Sequence, residues 1–380
     1  MKILKFRPLI FSIAILTLIA GGLITSVRTH AETVTVVATG LHNPRKLNFA
    51  PNGLLYVAEA AGNGPNSGLC GLVSDGSIKC SARTSSITQI DLAIGSVTRF
   101  ISSLPSLIPP NGPAIASGGA DDVSFDRQGN GYFTIGLAAD PRNRVPYFGQ
   151  AGLRYARLAR FDSQGNVTLG PDLGAFEVAN NPDGELIDSN PYGLLVLPGR
   201  IVYVDAGGNT LNQVTPDGTI TNLAVFPRAV TATGLATLSS GPPSLLLGPQ
   251  AVPTSVALGP DGNFYVSQLT GAPFQVGTAY VFRVPPQGGY PFAVYGGFTN
   301  IVDIAFGPDG SLYVLEIAKN AIPNFFPGRL VRIAPNGTRT ELAANQLTAP
   351  GGIAVGSDGA LYVTNLSIFP DTGQVLKIVP

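Results

Sequence analysis

The sequence predicts an all-β fold, a six-bladed β-propeller whose blades are four-stranded antiparallel sheets. The first observation is the segment 302–343, which divides into four short strands rich in aromatic and β-branched residues. Its outer hairpins close on Pro-Asp-Gly at 308–310 and Pro-Asn-Gly at 335–337, where proline presets the turn and glycine accepts positive φ. Such a segment is typical of one propeller blade.

The second observation is that this four-stranded unit recurs along the chain. Each copy has a glycine followed by a second-strand tyrosine, three residues later in five copies and four residues later in the third. The pairs are Gly53 and Tyr56, Gly129 and Tyr132, Gly199 and Tyr203, Gly262 and Tyr265, Gly310 and Tyr313, and Gly359 and Tyr362. Self-similarity at this period indicates a propeller of six blades.

The third observation concerns the outermost strands. Six copies of the third strand occur but only five of the fourth, and the sequence ends at Pro380 with a third strand. Residues 33–39 (TVTVVAT) look like a fourth strand without its blade. We therefore expect the N-terminal strand to complete the last blade, which closes the ring and leaves no open edge.

Residues 1–31 have the pattern of a secretory signal peptide. Lys2, Lys5 and Arg7 precede an apolar run at 9–24, and Thr-His-Ala at 29–31 resembles a cleavage site. An uncleaved membrane anchor is the alternative, because the run approaches the length that spans a bilayer. No other run is long enough. We expect one propeller domain at 32–380, periplasmic or extracellular, monomeric, and without a membrane span once the leader is removed.

The charge balance argues against nucleic acid as a partner. The leader carries four basic residues and no acidic ones, so the remainder has 19 basic and 23 acidic residues. No basic stripe is present that could follow a line of phosphates. The partner we expect is a small molecule or another protein outside the cytoplasm.

Cys70 and Cys80 are the only cysteines and flank nine residues of a loop in the first blade. In a chain addressed to an oxidising compartment, this spacing predicts a disulfide. A redox CxxC pair does not fit nine intervening residues, and a metal site would need further ligands.

Long segments fall mainly in the first half of the chain. Blade 1 (41–103) carries the cysteine loop, and a Pro/Gly/Ser-rich connection at 104–119 leads to blade 2. Blade 2 has an insert at 138–152. Blade 3 follows the segment 180–193, and a long connection at 227–250 precedes three compact blades. Long loops on a propeller rim are more often functional than short ones.

Polar residues recur where second strands end and where first strands begin, which is the same end of the channel. At second-strand ends they are Glu59, Asp205, Gln268, Glu316 and Asn365, and at first-strand starts Asp122, Asp188, Asn190, Thr254 and Asp303. Converging carboxylates and amides would suit Ca²⁺, which takes six to eight oxygen ligands. The alternative is that they hydrate the channel mouth or cap strand ends.

The predicted calcium ligands are Glu59, Asp122, Asp205, Asp303, Glu316 and Asn365. Haem, copper and zinc sites are not expected, because the mature chain has one histidine, His42, and no methionine or tryptophan. No nucleotide site is expected either. Catalytic residues stay unassigned, since a Ser-His-Asp arrangement would depend on His42 alone.

The most distinctive local motif is NNPDGELIDSNPYG at 180–193, followed by VDAGGN at 204–209. Asx-rich turns beside glycines offer side-chain oxygens and close backbone approach. An EF-hand does not fit, because Ala179 and Asn190 would occupy positions one and twelve. The predicted ligand-binding residues are Asp188, Ser189, Asn190, Asn209 and Gln268.

On these segments, and on VVATGLHNPRKLNFAPNGLLYVAEA and GGFTNIVDIAFGPDGSLYVLEI, the chain resembles the ScyD/ScyE family of secreted, NHL-like propellers. The resemblance extends over essentially the whole mature chain. It implies an extracytoplasmic protein linked to late maturation of the pigment scytonemin, from an indolic-phenolic monomer to its dimer. It carries over no catalytic residue, and Gln268 stands where the family more often has glutamate.

Three functions are compatible with these observations. The first is a secreted propeller that binds a small molecule at one mouth of its channel, with or without Ca²⁺, in pigment maturation. The second is a lactonase of the gluconolactonase type, in which a cation polarises a carbonyl. The third is a non-catalytic binding or scaffold propeller.

Overall fold

The computed structural model describes residues 32–112, 118–228, 248–320 and 327–380. The predicted signal peptide at 1–31 and most of the connection at 227–250 lie outside these residues. Within them, six antiparallel sheets form the blades of a propeller, which confirms the predicted fold class.

Blades 2 to 5 are meanders whose strands follow one another in the chain, whereas blade 1 has a fifth strand and the outer strand of blade 6 comes from the N-terminal end. Blade 1 is β2 (Pro44–Phe49), β3 (Leu55–Glu59), β4 (Asn66–Leu72), β5 (Ile78–Asp91) and β6 (Ser96–Ile108). Blade 2 is β7 (Ala120–Phe125), β8 (Gly131–Ile135), β9 (Arg157–Phe161) and β10 (Val167–Asp172). Blade 3 is β11 (Pro191–Leu197), β12 (Arg200–Asp205), β13 (Thr210–Val214) and β14 (Ile220–Val225).

The second half of the ring is more regular. Blade 4 is β15 (Pro253–Leu258), β16 (Phe264–Gln268), β17 (Ala279–Val284) and β18 (Phe292–Phe298). Blade 5 is β19 (Ile301–Phe306), β20 (Leu312–Glu316), β21 (Arg329–Ile333) and β22 (Arg339–Leu342). Blade 6 is β23 (Gly352–Val355), β24 (Leu361–Asn365), β25 (Gly373–Val379) and β1 (Thr33–Leu41).

The N-terminal strand β1 closes the ring as predicted. It pairs antiparallel with β25, with Val34 opposite Ile378 and Val36 opposite Leu376. Ala38 and Leu41 are buried in a cluster that joins blade 6 to blade 1. The first and last strands of the described chain therefore share one sheet.

The two ends of the propeller differ. We call the end where first strands begin and second strands end the start face, and the opposite end, which carries the first hairpin turns, the turn face. Each hairpin turn on the turn face places a glycine at positive φ, such as Gly262 and Gly310. These are the turns that the Pro-Asp-Gly repeats predicted.

Among the described residues, aromatic pairs join blades at three of the six junctions. The second-strand tyrosine of one blade meets a first-strand phenylalanine of the next blade at edge-on or tilted angles. The ring centroids are 4.8 Å apart for Tyr56 and Phe125, 4.9 Å for Tyr265 and Phe306, and 5.1 Å for Tyr362 and Phe49.

Blade 3 departs from the repeat, and the assignment of Tyr203 to the repeated tyrosines is wrong. Pro191 pairs with Asp205, 14 residues later, whereas Pro44 pairs with Glu59, 15 residues later. The shorter hairpin puts Val202 at the repeat position. Because a one-residue shift turns a side chain to the other face of its sheet, Tyr203 packs with blade 2 instead.

The predicted disulfide is confirmed. Cys70 in β4 and Cys80 in β5 are register partners, and their sulfur atoms are 1.98 Å apart. β5 is long enough to pair with β3 in its second half and with β4 in its first. The cysteine loop is thus an extra hairpin on blade 1.

Within the described residues, helical structure is confined to the blade 2 insert and the connection that follows β10. Helix α1 (Arg144–Phe148) lies between two 3₁₀ turns, at Pro141–Asn143 and Gly149–Arg154. Helix α2 (Leu173–Asn180) has Asp172 as its N-cap, and the side chain of Asp172 accepts a hydrogen bond from Ala175 N at 2.9 Å. None of the helices in the described part of the chain could cross a bilayer.

Candidate functional site

The predicted polar residues do lie at the start face, but most of those at second-strand ends hold the backbone of their own blade. Asn365 Oδ1 accepts a hydrogen bond from Thr348 N at 2.7 Å, two residues before Pro350. Glu59 and Glu316 accept in the same way from His42 N and Thr299 N. These side chains fasten the loop that enters each first strand.

Glu59 and Glu316 have further partners within their blades. Glu59 also accepts from the hydroxyls of Ser86 and Thr88, and Glu316 forms an ion pair with Arg329. Both glutamates are fully buried. The free acceptor capacity of these two predicted metal ligands is therefore small.

The side-chain oxygens of Asp205 are also occupied by hydrogen bonds. Its Oδ2 accepts from Ser189 Oγ at 2.7 Å, and its Oδ1 accepts from Asn190 N at 2.6 Å. Oδ1 also accepts from the backbone of Gly207 and Gly208, each at 3.1 Å. Burial nevertheless raises the pKa of Asp205, and these hydrogen bonds oppose the shift.

Asp122 and Asp303 lie in the channel, and between them lies Lys46, which was not among the predicted site residues. Lys46 Nζ is 2.9 Å from Asp303 Oδ1 and 3.9 Å from Asp122 Oδ2. All three side chains are buried. We call them the channel cluster. Lys46 occupies in β2 the position that Asp122 and Asp303 occupy in β7 and β19, so an alignment of the blades could have found it.

The channel cluster also ties neighbouring blades together. Asp122 Oδ2 accepts from Leu194 N at 2.8 Å, and Asp303 Oδ2 accepts from Ile353 N at 2.8 Å. Ser255 Oγ donates to Asp303 Oδ1 at 2.6 Å. Burial raises the pKa of Asp122 to about 7, with Lys46 opposing and Asp303 adding to the shift.

Two glycines give Lys46 its space in the channel. A Cβ at Gly193 would lie 3.0 Å from Lys46 Nζ, and a Cβ at Gly352 would lie 2.5 Å from Lys46 Cα. These glycines take the first-strand positions in blades 3 and 6 that carry charged residues in blades 1, 2 and 5. The side chain of Lys46 therefore fits in the channel because blades 3 and 6 have glycine, with no side chain, at this position.

One residue nearer the start face, Arg45, Asp121 and Tyr192 take the next first-strand position. Arg45 Nε is 3.8 Å from Asp121 Oδ1. Burial raises the pKa of Asp121 to about 7 and that of Tyr192 to about 12. Asp121 is 2% exposed, and its Oδ2 has no hydrogen-bond partner among the described residues.

The side-chain oxygen of Asn190 lies near Asp121 Oδ2, beside Gly136. A Cβ at Gly136 would lie 2.3 Å from Asp121 Oδ2 and 2.5 Å from Asn190 Oδ1. Asn190 Oδ1 accepts from Leu137 N at 3.1 Å. The absent side chain of Gly136 therefore lets two acceptor oxygens from blades 2 and 3 come together.

The motif at 180–193 forms an acidic group with α2. Asn209 Nδ2 donates to Asp183 Oδ2 at 2.9 Å, and Asp188 lies beside Gly207. Burial raises the pKa of Asp188 to about 6, and Asp205 adds to the shift. Glu177, which was not among the predicted site residues, lies within this group and is buried on α2.

The pKa of Glu177 is strongly raised. Burial, with the nearby charges of Asp205, Asp183 and Asp188, raises its pKa from an ordinary value of 4.5 to about 8. Its Oε1 has no hydrogen-bond partner in the described part of the chain. No repeat marks this residue, since among the described connections only the one after β10 contains a helix of this length.

We expect this shift to show in the pH dependence of stability. Between pH 4.5 and 8 the folded protein holds a proton on Glu177 that the unfolded chain has released, so stability falls as pH rises through this window. Glu177→Gln should therefore reduce the loss of melting temperature between pH 5 and 8. Glu341→Gln, at an exposed residue, is the control. Equal slopes in wild type and Glu177→Gln would contradict the shift.

The start face concentrates buried polar atoms that have no hydrogen-bond partner within the described residues. Every blade contributes at least one. They include Asn43 Oδ1 at blade 1, Asp121 Oδ2 at blade 2, Asp188 Oδ1 at blade 3, Gln268 Nε2 and Thr270 Oγ1 at blade 4, Asn300 Oδ1 at blade 5 and Ser367 Oγ at blade 6. Buried polar atoms normally have partners. This end of the channel therefore contains more buried polar atoms than the hydrogen bonds of the described residues satisfy.

No group of three or more His, Cys, Asp and Glu side chains in the described ranges is arranged to hold a metal ion. The six predicted calcium ligands are divided among blade-fastening positions, the hydrogen-bonded Asp205 and the channel cluster. Calcium binding stays a prediction.

No family model and no curated protein sequence matches the chain. Among solved structures it is similar to a gluconolactonase from Xanthomonas campestris, with 10% identity and a TM-score of 0.53 over 92% of this chain and 90% of that one. It is also similar to a catalytically inactive virginiamycin B lyase from Staphylococcus aureus with Quinupristin, with 15% identity and a TM-score of 0.50 over 92% of this chain and all of that one.

A glucose dehydrogenase gives 14% identity and a TM-score of 0.50 over 92% of this chain and 99% of that one. These neighbours are six-bladed propellers of the NHL and SMP-30 type. At such identities the likeness shows the fold alone.

Proposed function

We propose that this protein binds a small, hydroxyl- or amine-rich molecule at the start face of its channel. The observation that carries the proposal is the set of seven buried polar atoms without partners among the described residues, contributed there by all six blades. Leaving such atoms without a hydrogen bond is costly, and a ligand or water that supplies the missing bonds offsets that cost.

The chemistry of these atoms suggests the ligand class. Four of the seven are acceptor oxygens of carboxyl or amide groups: Asn43 Oδ1, Asp121 Oδ2, Asp188 Oδ1 and Asn300 Oδ1. Acceptor oxygens pair with O–H and N–H donors, or with a cation. The channel cluster lies one residue deeper, so Lys46 would form the floor of the site.

The proposal has three more specific parts, which are calcium binding, an extracytoplasmic location and a role in pigment maturation. Ca²⁺ would use oxygens that remain free, such as Asp121 Oδ2, in place of the occupied Asp205. The Cys70–Cys80 disulfide is typical of proteins in oxidising compartments. A role with an indolic-phenolic pigment precursor rests on the sequence resemblance, and phenol and indole N–H donors suit an acceptor-rich mouth.

Binding is tested by thermal melting and calorimetric titration with CaCl₂ and with D-glucono-1,5-lactone, a polyhydroxylated probe. We expect saturating ligand to raise the melting temperature, since a ligand at 100 times its Kd adds about 2.7 kcal/mol of stability. Asp121→Asn should remove most of the shift.

The matched control is Asp126→Asn, because Asp126 belongs to the same blade but lies in a turn on the opposite face. A shift of the same size in Asp121→Asn and wild type would contradict a start-face site. The absence of any shift with both probes would favour the scaffold alternative.

A second candidate function is lactone hydrolysis, which the raised pKa of the buried Asp121 carboxyl favours. A buried carboxyl with a pKa of about 7 beside Arg45 can both accept and donate a proton near neutral pH. The test is D-glucono-1,5-lactone hydrolysis with and without divalent cations. Hydrolysis that Asp121→Asn abolishes would support the enzyme, and binding without turnover would support the first proposal.

A further inference from the structure

A groove of about 890 Å³ lies between blades 2 and 3 on the turn face. Its walls include the first hairpin turns of both blades, at 126–128 and 197–200. This is the opposite end of the ring from the start-face site, so the two regions share no residue. A volume of this size falls within the roughly 300–1,000 Å³ of small-molecule pockets.

At this junction the first strand lacks the phenylalanine that three other junctions have. Phe49, Phe125 and Phe306 each meet the tyrosine of the preceding blade. Val196 takes the equivalent position in β11, and it lines the groove together with Tyr132 of the preceding blade. The smaller valine leaves open the space that a phenylalanine ring would fill.

The charge of the groove is carried by arginines that lack carboxylate partners among the described residues. Of the 15 described arginines, nine lie within 4.0 Å of a carboxylate and six do not. Three of those six, Arg127, Arg160 and Arg200, line this groove. Arg83 and Arg154 line a smaller one of about 330 Å³ beside the other face of β10.

The contacts of Arg160 and Arg200 are with neutral groups and do not neutralise their positive charge. Arg160 donates to Asn130 Oδ1 at 2.6 Å and lies 6.0 Å from the ring centroid of Tyr132. Arg200 donates to Gln213 Oε1 at 2.9 Å and to a backbone carbonyl, both neutral acceptors. Asp126 is the one carboxylate in the described lining, and its oxygens already accept from Asn130 N and Nδ2.

Apolar side chains form the floor and walls between the arginines. They are Phe125, Leu158, Val196, Ile201 and Val214. A flat ring can pack on such a surface, and guanidinium groups both stack on rings and bind carboxylates bidentately. The combination therefore selects for a molecule with an apolar body and a negative group.

We propose that this groove binds an organic anion with a flat apolar body of one or two rings, such as an aryl carboxylate or aryl sulfonate. The inference is independent of the start-face proposal. The ring would lie between Tyr132 and Val196, and its anionic group would meet Arg127 and Arg160.

The test is calorimetric titration of the intact protein with 2-naphthoate, with 2-naphthalenemethanol as the neutral analogue. We expect saturable binding of one naphthoate and at least tenfold weaker binding of the alcohol. Val196→Phe should weaken naphthoate binding at least tenfold without lowering the melting temperature, because its ring fills the groove against Tyr132.

The double variant Arg127→Gln, Arg160→Gln should also weaken naphthoate at least tenfold and bring it to the affinity of the alcohol. Arg339→Gln is the matched control, since Arg339 also lacks a carboxylate partner among the described residues but lies over Phe298 of another junction. If Val196→Phe fails to fold, the double variant decides. No saturable binding, or undiminished binding in the double variant, would overturn the proposal.

Discussion

Replacing Lys46 with methionine is expected to destabilise the folded protein by about 3–5 kcal/mol at pH 8, the usual cost of removing one partner from a buried ion pair. Lys46 Nζ lies 2.9 Å from Asp303 Oδ1, and both side chains are buried. Methionine fills a similar volume but leaves two carboxylates facing each other across the channel. Urea unfolding monitored by circular dichroism measures the difference.

Two further variants separate charge from packing. Lys46→Met combined with Asp303→Asn removes both charges and should recover much of the lost stability. Lys377→Met breaks an exposed pair with Asp358 and should cost less than about 1 kcal/mol. The Lys46→Met penalty should also shrink below pH 6, where Asp122 is protonated in the folded protein. A penalty equal to that of Lys377→Met would contradict the buried channel cluster.

Deleting Thr33–Leu41 is expected to abolish cooperative folding. The deletion removes the whole partner of β25 and leaves its N–H and C=O groups on an open edge. It also removes Ala38 and Leu41 from the core that joins the first and last blades. We expect an aggregating product without a cooperative melting transition, as measured by circular dichroism and sedimentation.

Cross-linking tests the same closure without removing residues. Val36→Cys and Leu376→Cys are placed at register partners and should form a disulfide under oxidising conditions. Val36→Cys combined with Leu223→Cys, in blade 3, is the mismatched control and should not cross-link. A deletion variant that melts like wild type would show that the ring does not depend on β1.

Repetition explains which predictions succeeded. The second-strand ends recur, so Glu59, Glu316 and Asn365 could be placed at one face without coordinates. The hydrogen bonds by which these side chains hold the backbone could not be predicted in the same way. Each accepts from a backbone N–H about 17 residues earlier, and such pairing depends on the register of a hairpin.

Features that occur once were missed. Lys46 interrupts a pattern of acidic residues, and its partner Asp303 lies 257 positions away in the chain. Glu177 belongs to a helix that no other blade has among the described residues. Tyr203 looked like a repeat member because of its spacing from Gly199, but one residue fewer in the hairpin turned it to the other side of its sheet.

Local preference and periodicity belong to the sequence, because turn residues and alternating strands act over a few neighbouring positions. They determined the propeller, its six blades, the closing N-terminal strand and the disulfide. Only the tertiary structure decided which polar groups meet. Convergence on the channel axis brings together residues hundreds of positions apart, and burial raises the pKa of Asp121, Asp122 and Glu177.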